Sequence, residues 1–496
     1  MNPLATLDPS AADLAAVATA WGDRWWDPDA GLLWNPDDAF EELPRGRSVH
    51  LVPQSAWYAL GLLLRGGDGD VARSSRVLDA VLDTQYDAPG EVWDGTFARF
   101  LEWPTPPADA TIWVDYDPNW RQFIGTTFSL ILRDLADGLD RGLLVRMEAA
   151  IRRAVDGEPE GRVPAWYSNI ALMKAWLEVD HGTRAGRAEV VAAGEALAAE
   201  VVRLFDRHGA FDEFNSPTYY GIDLFALRLW RTRSSSPRLR GWGARLEAAL
   251  WEDVARFTNA GLGNLAGPWS RSYGMDMRAY AAALGLWVWA ALGRAAAPFP
   301  DVDGPFGHSH DLFLGAAAAL LGADIPAAAA AELQALSGPR LVRRVIGDEP
   351  PRVATAWLED TAMLGAETSG DGWSAWGQYH PVTVHWRAPD GSLAWLRLRH
   401  RAPVQAVAGE RTLTATCSPH PRHGPQPVVI EVLAAGLDVE ALRAGRWSLP
   451  GLPAEVAAEA PLAGAEVQPD GVVRVRYEPV AGPVRWRIDL LPASTG

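Results

Sequence analysis

The apolar residues of this 496-residue chain change their spacing once, and that change limits the possible folds more than any other feature. From residue 10 to about 338 they recur every three to four positions, the period of a helix with a buried stripe. Helical spacing covers 10–22, 51–65, 71–85, 120–137, 140–154, 164–179, 187–206, 220–233, 241–257, 275–293, 310–322 and 326–337. Ser10, Asp117-Pro118 and Pro164 suit helix starts, and Gly138, Gly209 and Gly293 suit stops. Beyond 340 the period falls to two in Val353–Leu358, Val382–Arg387, Leu393–Arg399, Val428–Leu433, Val472–Tyr477 and Val484–Leu490. Pro389-Asp390-Gly391 and Pro469-Asp470-Gly471 read as turns between strands. The class is therefore α+β. About a dozen paired helices close naturally into an α/α toroid, whose connections at one mouth line a cleft, and no strict repeat points to a solenoid instead. The strands predict an antiparallel β-sandwich. We place the toroid at 1–340 and the sandwich at 341–496.

Bulk properties narrow the function. A net charge of −17 disfavours a nucleic-acid phosphate binder, which needs a basic face. One cysteine, Cys417, excludes an intrachain disulfide framework and any cysteine-clustered metal site. No apolar run reaches membrane-spanning length; residues 315–331 are broken by Gly322, Asp324 and Pro326. Met1-Asn2-Pro3-Leu4 opens no secretory signal, so a cytoplasmic enzyme without cofactor is expected, its oligomeric state open.

Tryptophan is the compositional outlier, with 24 residues, 17 of them before position 290. Many suit core packing. Trp25, Trp26, Trp113, Trp120, Trp166 and Trp269 sit instead beside Asp, Asn, Arg or Pro, where an indole can stack on a sugar ring. The densest polar segment is 209–223, where Asp212, Glu213, Asn215, Ser216, Tyr219 and Tyr220 lead into an apolar helix. Loops on a rigid scaffold are where binding and catalytic groups concentrate. Three further clusters are Trp269-Ser-Arg271-Ser-Tyr273, Gly307-His308-Ser-His310-Asp311 and Asp115-Tyr-Asp117-Pro-Asn119-Trp120. Each can equally be a capped helix start. The alternating histidines suit a metal pair or a base, but no HExxH pattern accompanies them, and no metal is assigned.

Carbohydrate chemistry fits these groups in two ways. β-Elimination at a uronic acid needs donors that neutralise the carboxylate, then a base at C5 and an acid at the leaving oxygen. Asn169, Tyr219, Arg271 and Tyr273 supply such a set, because an amide or guanidinium can hold a carboxylate and a phenol can move a proton. Hydrolysis needs two carboxylates, to be chosen among Asp94, Asp115, Asp117, Asp212, Glu213 and Asp276. A glycan-binding protein without catalysis is a third reading.

Asp212-Glu213-x-x-Ser216-Pro217-x-Tyr219-Tyr220 resembles the signature of the heparinase II/III-like and alginate-lyase-like polysaccharide lyases, in which an acidic turn and Ser-x-x-Tyr-His precede an apolar helix. Asn169 is similar to the Asn-His that opens an upstream helix there. The resemblance implies a toroid with a sandwich behind it, carboxylate neutralisation by Asn169 and proton transfer by Tyr219. Ile170 and Tyr220 stand where those lyases carry histidine, so the base can come from elsewhere. We expect a lyase in which Asn169 and Arg271 neutralise the uronate, Tyr219 transfers the proton, and Tyr273 or His308 and His310 assist. Asn119, Trp120, Trp166, Glu213, Asn215, Tyr220, Trp269 and His308 are expected to bind the oligosaccharide or polysaccharide.

Overall fold

The architecture is that of a computed structural model, which describes residues 3–35, 49–369 and 377–492. The chain forms two compact units, each assembled from separated segments. The first comprises Met1–Leu204, Tyr219–Ala248 and Ala279–Asp324, and the second Phe205–Thr218, Ala249–Arg278 and Ile325–Gly496.

The described helices are α1 (Pro9–Trp25), α2 (Val52–Arg65), α3 (Asp70–Leu82), α4 (Trp120–Asp134), α5 (Arg141–Asp156), α6 (Ser168–Ala185), α7 (Ala188–His208), α8 (Tyr219–Arg233), α9 (Pro237–Phe257), α10 (Ala283–Leu292), α11 (Gly315–Leu321), α12 (Ala327–Gln334) and α13 (Val439–Arg443). Two predicted helices begin several residues late. Residues 275–282 are not helical, because Ala281 N–H donates to Gly307 O at 2.9 Å and Gly307 N–H donates to Ala279 O, which zips the strand-like segment to its neighbour. Residues 164–167 form a turn ahead of α6.

In the first unit α1, α2, α4, α6, α8 and α10 touch in that order and α10 touches α1, closing a ring of six. Burial explains which helices line the ring. Every residue of α2 from Val52 to Leu64 is buried, and α10 reads Ala-Leu-Gly-Leu-Trp-Val-Trp-Ala-Ala-Leu without a charge. A helix apolar all round must be enclosed on all sides. By contrast α5 buries only Leu143, Met147, Ala150, Ile151 and Ala154, a single stripe at helical spacing, and packs on α4 from outside. Helix α11, with Gly315 and four alanines, contacts α1, α2, α8 and α10 and therefore crosses the ring interior, where only small side chains fit. Gly221 in α8 permits its contact with α10: a Cβ there would lie 2.3 Å from the Ala283 carbonyl carbon.

The second unit is dominated by twelve antiparallel strands: β1 (Arg340–Asp348), β2 (Pro351–Glu359), β3 (Ala362–Thr368), β4 (Val382–Arg387), β5 (Leu393–Arg399), β6 (Val404–Gly409), β7 (Thr412–Cys417), β8 (Val428–Leu433), β9 (Ala454–Ala458), β10 (Leu462–Val467), β11 (Val473–Tyr477) and β12 (Val484–Leu490). Their order is β9-β12-β7-β6-β3-β4-β5-β8-β11-β10, with β2 pairing β3 and β1 pairing β2. Alternate residues, such as Val382, Val384 and Trp386 in β4 or Val484, Trp486 and Ile488 in β12, meet in one apolar cluster. Strands far apart in the order share that cluster, so the sheet curls over itself into two layers, the packing of a sandwich. The protein is thus α+β, a helical ring followed by an antiparallel β-domain.

Candidate active site

Contacts at both ends of the ring helices fix their direction. Asn119, just before α4, donates through Nδ2 to the Tyr167 hydroxyl just before α6 at 3.1 Å. Near the far ends of the same helices Arg133 Nη1 lies 3.1 Å from Asp180 Oδ1. Arg233 Nε, at the end of α8, donates to Asp134 Oδ2 at the end of α4 at 2.6 Å. Trp57 of α2 meets Phe123 of α4 edge-on at 6.0 Å, and Gly221 and Ala283 join the first turns of α8 and α10. The N-termini of α2, α4, α6, α8 and α10 therefore open at one mouth of the ring. The partial positive charge of a helix N-terminus favours an anion there.

Most of the first-unit candidates stand at this mouth. Asn169 is the second residue of α6 and fully buried, and Tyr219 opens α8 half-buried. Around Asn119 runs a polar network: its Oδ1 accepts from Arg162 Nη1 at 2.9 Å, Arg162 pairs with Glu158, and Gln122 Nε2 donates to Glu158 Oε2 at 2.7 Å. Trp166 is 56% exposed with its ring centroid 6.1 Å from that of Tyr167, which makes an aromatic shelf. Trp120 is half-buried against Phe123 at 5.3 Å. Gly307, zipped to the segment that precedes α10, brings His308 and His310 to the same side. His308, His310 and Asp311 hold their ligand atoms within 4.8 Å of one another, a spacing that can chelate a divalent cation. Tyr220 differs from its assignment: at 1% exposure it packs inside α8 and offers no surface to a sugar.

One constellation here was not legible as such. His50, in the short strand before α2, places Nδ1 2.6 Å from Glu102 Oε1 and Nε2 3.1 Å from Asp27 Oδ2, with Trp34 against its ring at 3.9 Å. The bond from His50 lowers the Asp27 carboxyl below its usual range. Nothing in the spacing of the three residues announces the contact.

The second unit gathers the other candidates. Arg271 donates from Nη1 to Glu213 Oε1 at 2.8 Å and from Nε to Gln378 Oε1 at 2.9 Å, so its guanidinium is already turned to a carboxylate. Ser216 Oγ donates to Arg271 O at 2.6 Å. Asn215, at φ 53°, donates to Ala266 O and Pro268 O and is buried, so it shapes the loop and reaches no ligand. Trp269 corrects its assignment in the same way. It is 0% exposed, with His380 edge-on at 6.0 Å and His385 at 5.3 Å, and belongs to the packing of segment 266–275 on β4. Burial drives the His385 imidazole down to about 4 and holds His380 well below the usual range. Tyr273 is 40% exposed.

The carboxylates nominated for hydrolysis are mostly occupied. Asp94 accepts from Ala88 N–H, Asp115 from Thr111 N–H, Asp117 from Asn119 N–H and Asp276 from Arg278 N–H. These are turn-closing bonds. Among the described residues, no helix is long and apolar enough to cross a membrane.

Fold and site together define an α+β protein in which a helical ring carries polar and aromatic groups at one mouth. The chain belongs to the family described as Domain of unknown function (DUF8769), whose model matches residues 12–323. No curated protein matches the sequence. Among solved structures, the chain is similar to the chondroitin AC lyase of Streptomyces coelicolor A3, in complex with chondroitin sulphate. Identity is 13% and the TM-score 0.42, with 99% of this chain and 80% of that one covered. It is also similar to the endoglucanase CelQ of Clostridium thermocellum, complexed with cellotriose, at 11% identity and TM-score 0.29, covering 98% and 83%.

Proposed function

We propose that the protein is a carbohydrate-active enzyme that cleaves a uronic-acid-containing glycan by β-elimination. One observation carries the reading: Asn169 and Tyr219 open two inner helices that run in the same direction, at the mouth where five helix N-termini favour a carboxylate. In the step, a base removes the C5 proton, the electron pair forms the C4–C5 double bond, and the C4–oxygen bond breaks with a proton delivered to the leaving oxygen. Asn169, buried in the first turn of α6, orients the helix N-terminus that receives the uronate carboxylate, Tyr219 transfers the proton, and His308 or His310 assists. Trp166 and Trp120 stack on sugar rings, and Asn119 bonds hydroxyls. Arg271 and Tyr273 enter as residues to be tested by substitution.

The test is absorbance in the ultraviolet band of unsaturated uronates during incubation with a panel of uronate glycans. A Tyr219→Phe variant is expected to lose about 10²–10⁴-fold in turnover, the usual weight of general acid–base catalysis, with its melting temperature unchanged. Undiminished activity would remove Tyr219 from the mechanism. Hydrolysis is the second reading, favoured by Asp27 and Glu102 flanking His50. It would show as new reducing ends without that absorbance.

A further inference from the structure

A cavity of about 530 Å³ opens on the β-domain, lined by Tyr379, Arg399, Arg401, Glu431, Arg474 and Arg476, among others. It arises from strand register. Arg397 of β5 faces Glu431 of β8, which faces Arg474 of β11, and two residues further along Arg399 faces Val429, which faces Arg476. Because side chains alternate, Leu396, Leu398, Ile430, Val432, Val473 and Val475 point the other way into the core. The arginines are therefore forced onto one outer face. Glu431 accepts from Arg397 Nε at 2.7 Å and Arg474 Nη2 at 2.8 Å. Burial raises its carboxyl, but the two guanidiniums outweigh this and hold it below its usual range. Glu466 of β10 stands opposite Arg474. Five guanidiniums, counting Arg401, thus share a face with two carboxylates on a chain whose net charge is −17.

We propose that this face binds a saccharide bearing two or more carboxylate or sulfate groups. Strand geometry sets its spacing: arginines two residues apart are about 6.7 Å apart along a strand, and β5 and β11 are about 9.5 Å apart across β8. A guanidinium holds a carboxylate or sulfate through paired N–H donors, and Arg399 and Arg476 sit at the end of the face away from Glu431. Single-stranded nucleic acid is disfavoured because its bases need aromatic faces to stack on. The rings of Tyr379 and His400, which line this face, and of Trp395 beside it are buried. Choosing a saccharide among polyanions rests on the reading under Proposed function, whereas the anion site does not.

The experiment measures calorimetric binding to the full chain carrying Tyr219→Phe and Trp166→Ala, so that cleavage is stopped and binding at the helical mouth is weakened. Probes are an oligogalacturonate, a chondroitin sulfate oligosaccharide, a neutral malto-oligosaccharide and oligo-dT of similar length. Binding of either acidic saccharide, weakened by salt and absent for the neutral one, is expected, and the stronger arm identifies carboxylate or sulfate. Arg399→Gln/Arg476→Gln should weaken it about a hundredfold, two charge-assisted contacts being lost, with the melting temperature as the folding control. Arg476→Gln alone, at an exposed position, should weaken it about tenfold and serves if the double variant does not fold. Unaltered affinity in these variants, equal binding of the neutral saccharide, or tighter binding of oligo-dT would overturn the proposal. Cleavage that persists in Tyr219→Phe would instead count against the catalytic reading alone.

Discussion

Removing the carboxylate of Glu367 should be the most costly polar substitution in the second unit. Its Oε1 lies 2.7 Å from Arg352 Nε, and the two residues are 1% and 3% exposed. Arg352 also donates to Asp212 O at 3.3 Å, and burial together with the charge of Glu367 holds the hydroxyl of Tyr379, in the wall of the arginine-lined cavity, well above its ordinary value. Glu367→Gln keeps the shape and deletes the charge. A buried carboxylate left alone can escape by taking a proton, but a guanidinium stays charged at any pH that leaves the protein folded. The Asp212 carboxylate, 4.0 Å from Nη1 and pushed up by burial, compensates only in part. Most of the penalty of an uncompensated buried charge, about 3–5 kcal/mol, therefore applies. For a unit of about 200 residues that is a fall of roughly 6–20 °C in melting temperature. Differential scanning calorimetry measures it, and Arg352→Met/Glu367→Leu should recover most of the loss because no charge is left buried. A fall under about 1 kcal/mol, the weight of an exposed pair, would mean that water reaches these groups and would refute the argument.

Two further outcomes follow from the site. His385 has a folded value near 4 against an ordinary value near 6.5, so its contribution is fully present above 6.5 and is lost as pH falls toward 4. His385 alone should withdraw about 3 kcal/mol from the second unit over that window, with His380 adding in the same direction. Urea unfolding at pH 7 and pH 4.5 checks this, and an unchanged midpoint would contradict it. Trp166→Ala, at an exposed position, should weaken glycan binding by about tenfold, as expected for one lost stacking platform, while changing stability by less than about 0.5 kcal/mol; calorimetry separates the two.

The sequence by itself determined the class of fold. Period-3.6 burial along α5 and period-two burial along β12 are local properties, because each follows from which side chains a helix or strand must hide. The patterns also separate inner from outer helices: α2 and α10 carry no polar face, whereas α5 does. What only the tertiary structure decided is which distant residues meet. Asp27 and Glu102 reach His50 from 23 and 52 positions away, and Glu431 meets Arg397 and Arg474 through strand register across 34 and 43 positions. Trp269 reads as a loop indole but is enclosed, because segment 266–275 covers one face of β4. Its neighbour Gly267 lies where a Cβ on Gly365 would come within 2.2 Å of the backbone. Local periodicity records which face is hidden, and only the packing of chain segments far apart in sequence records what hides it.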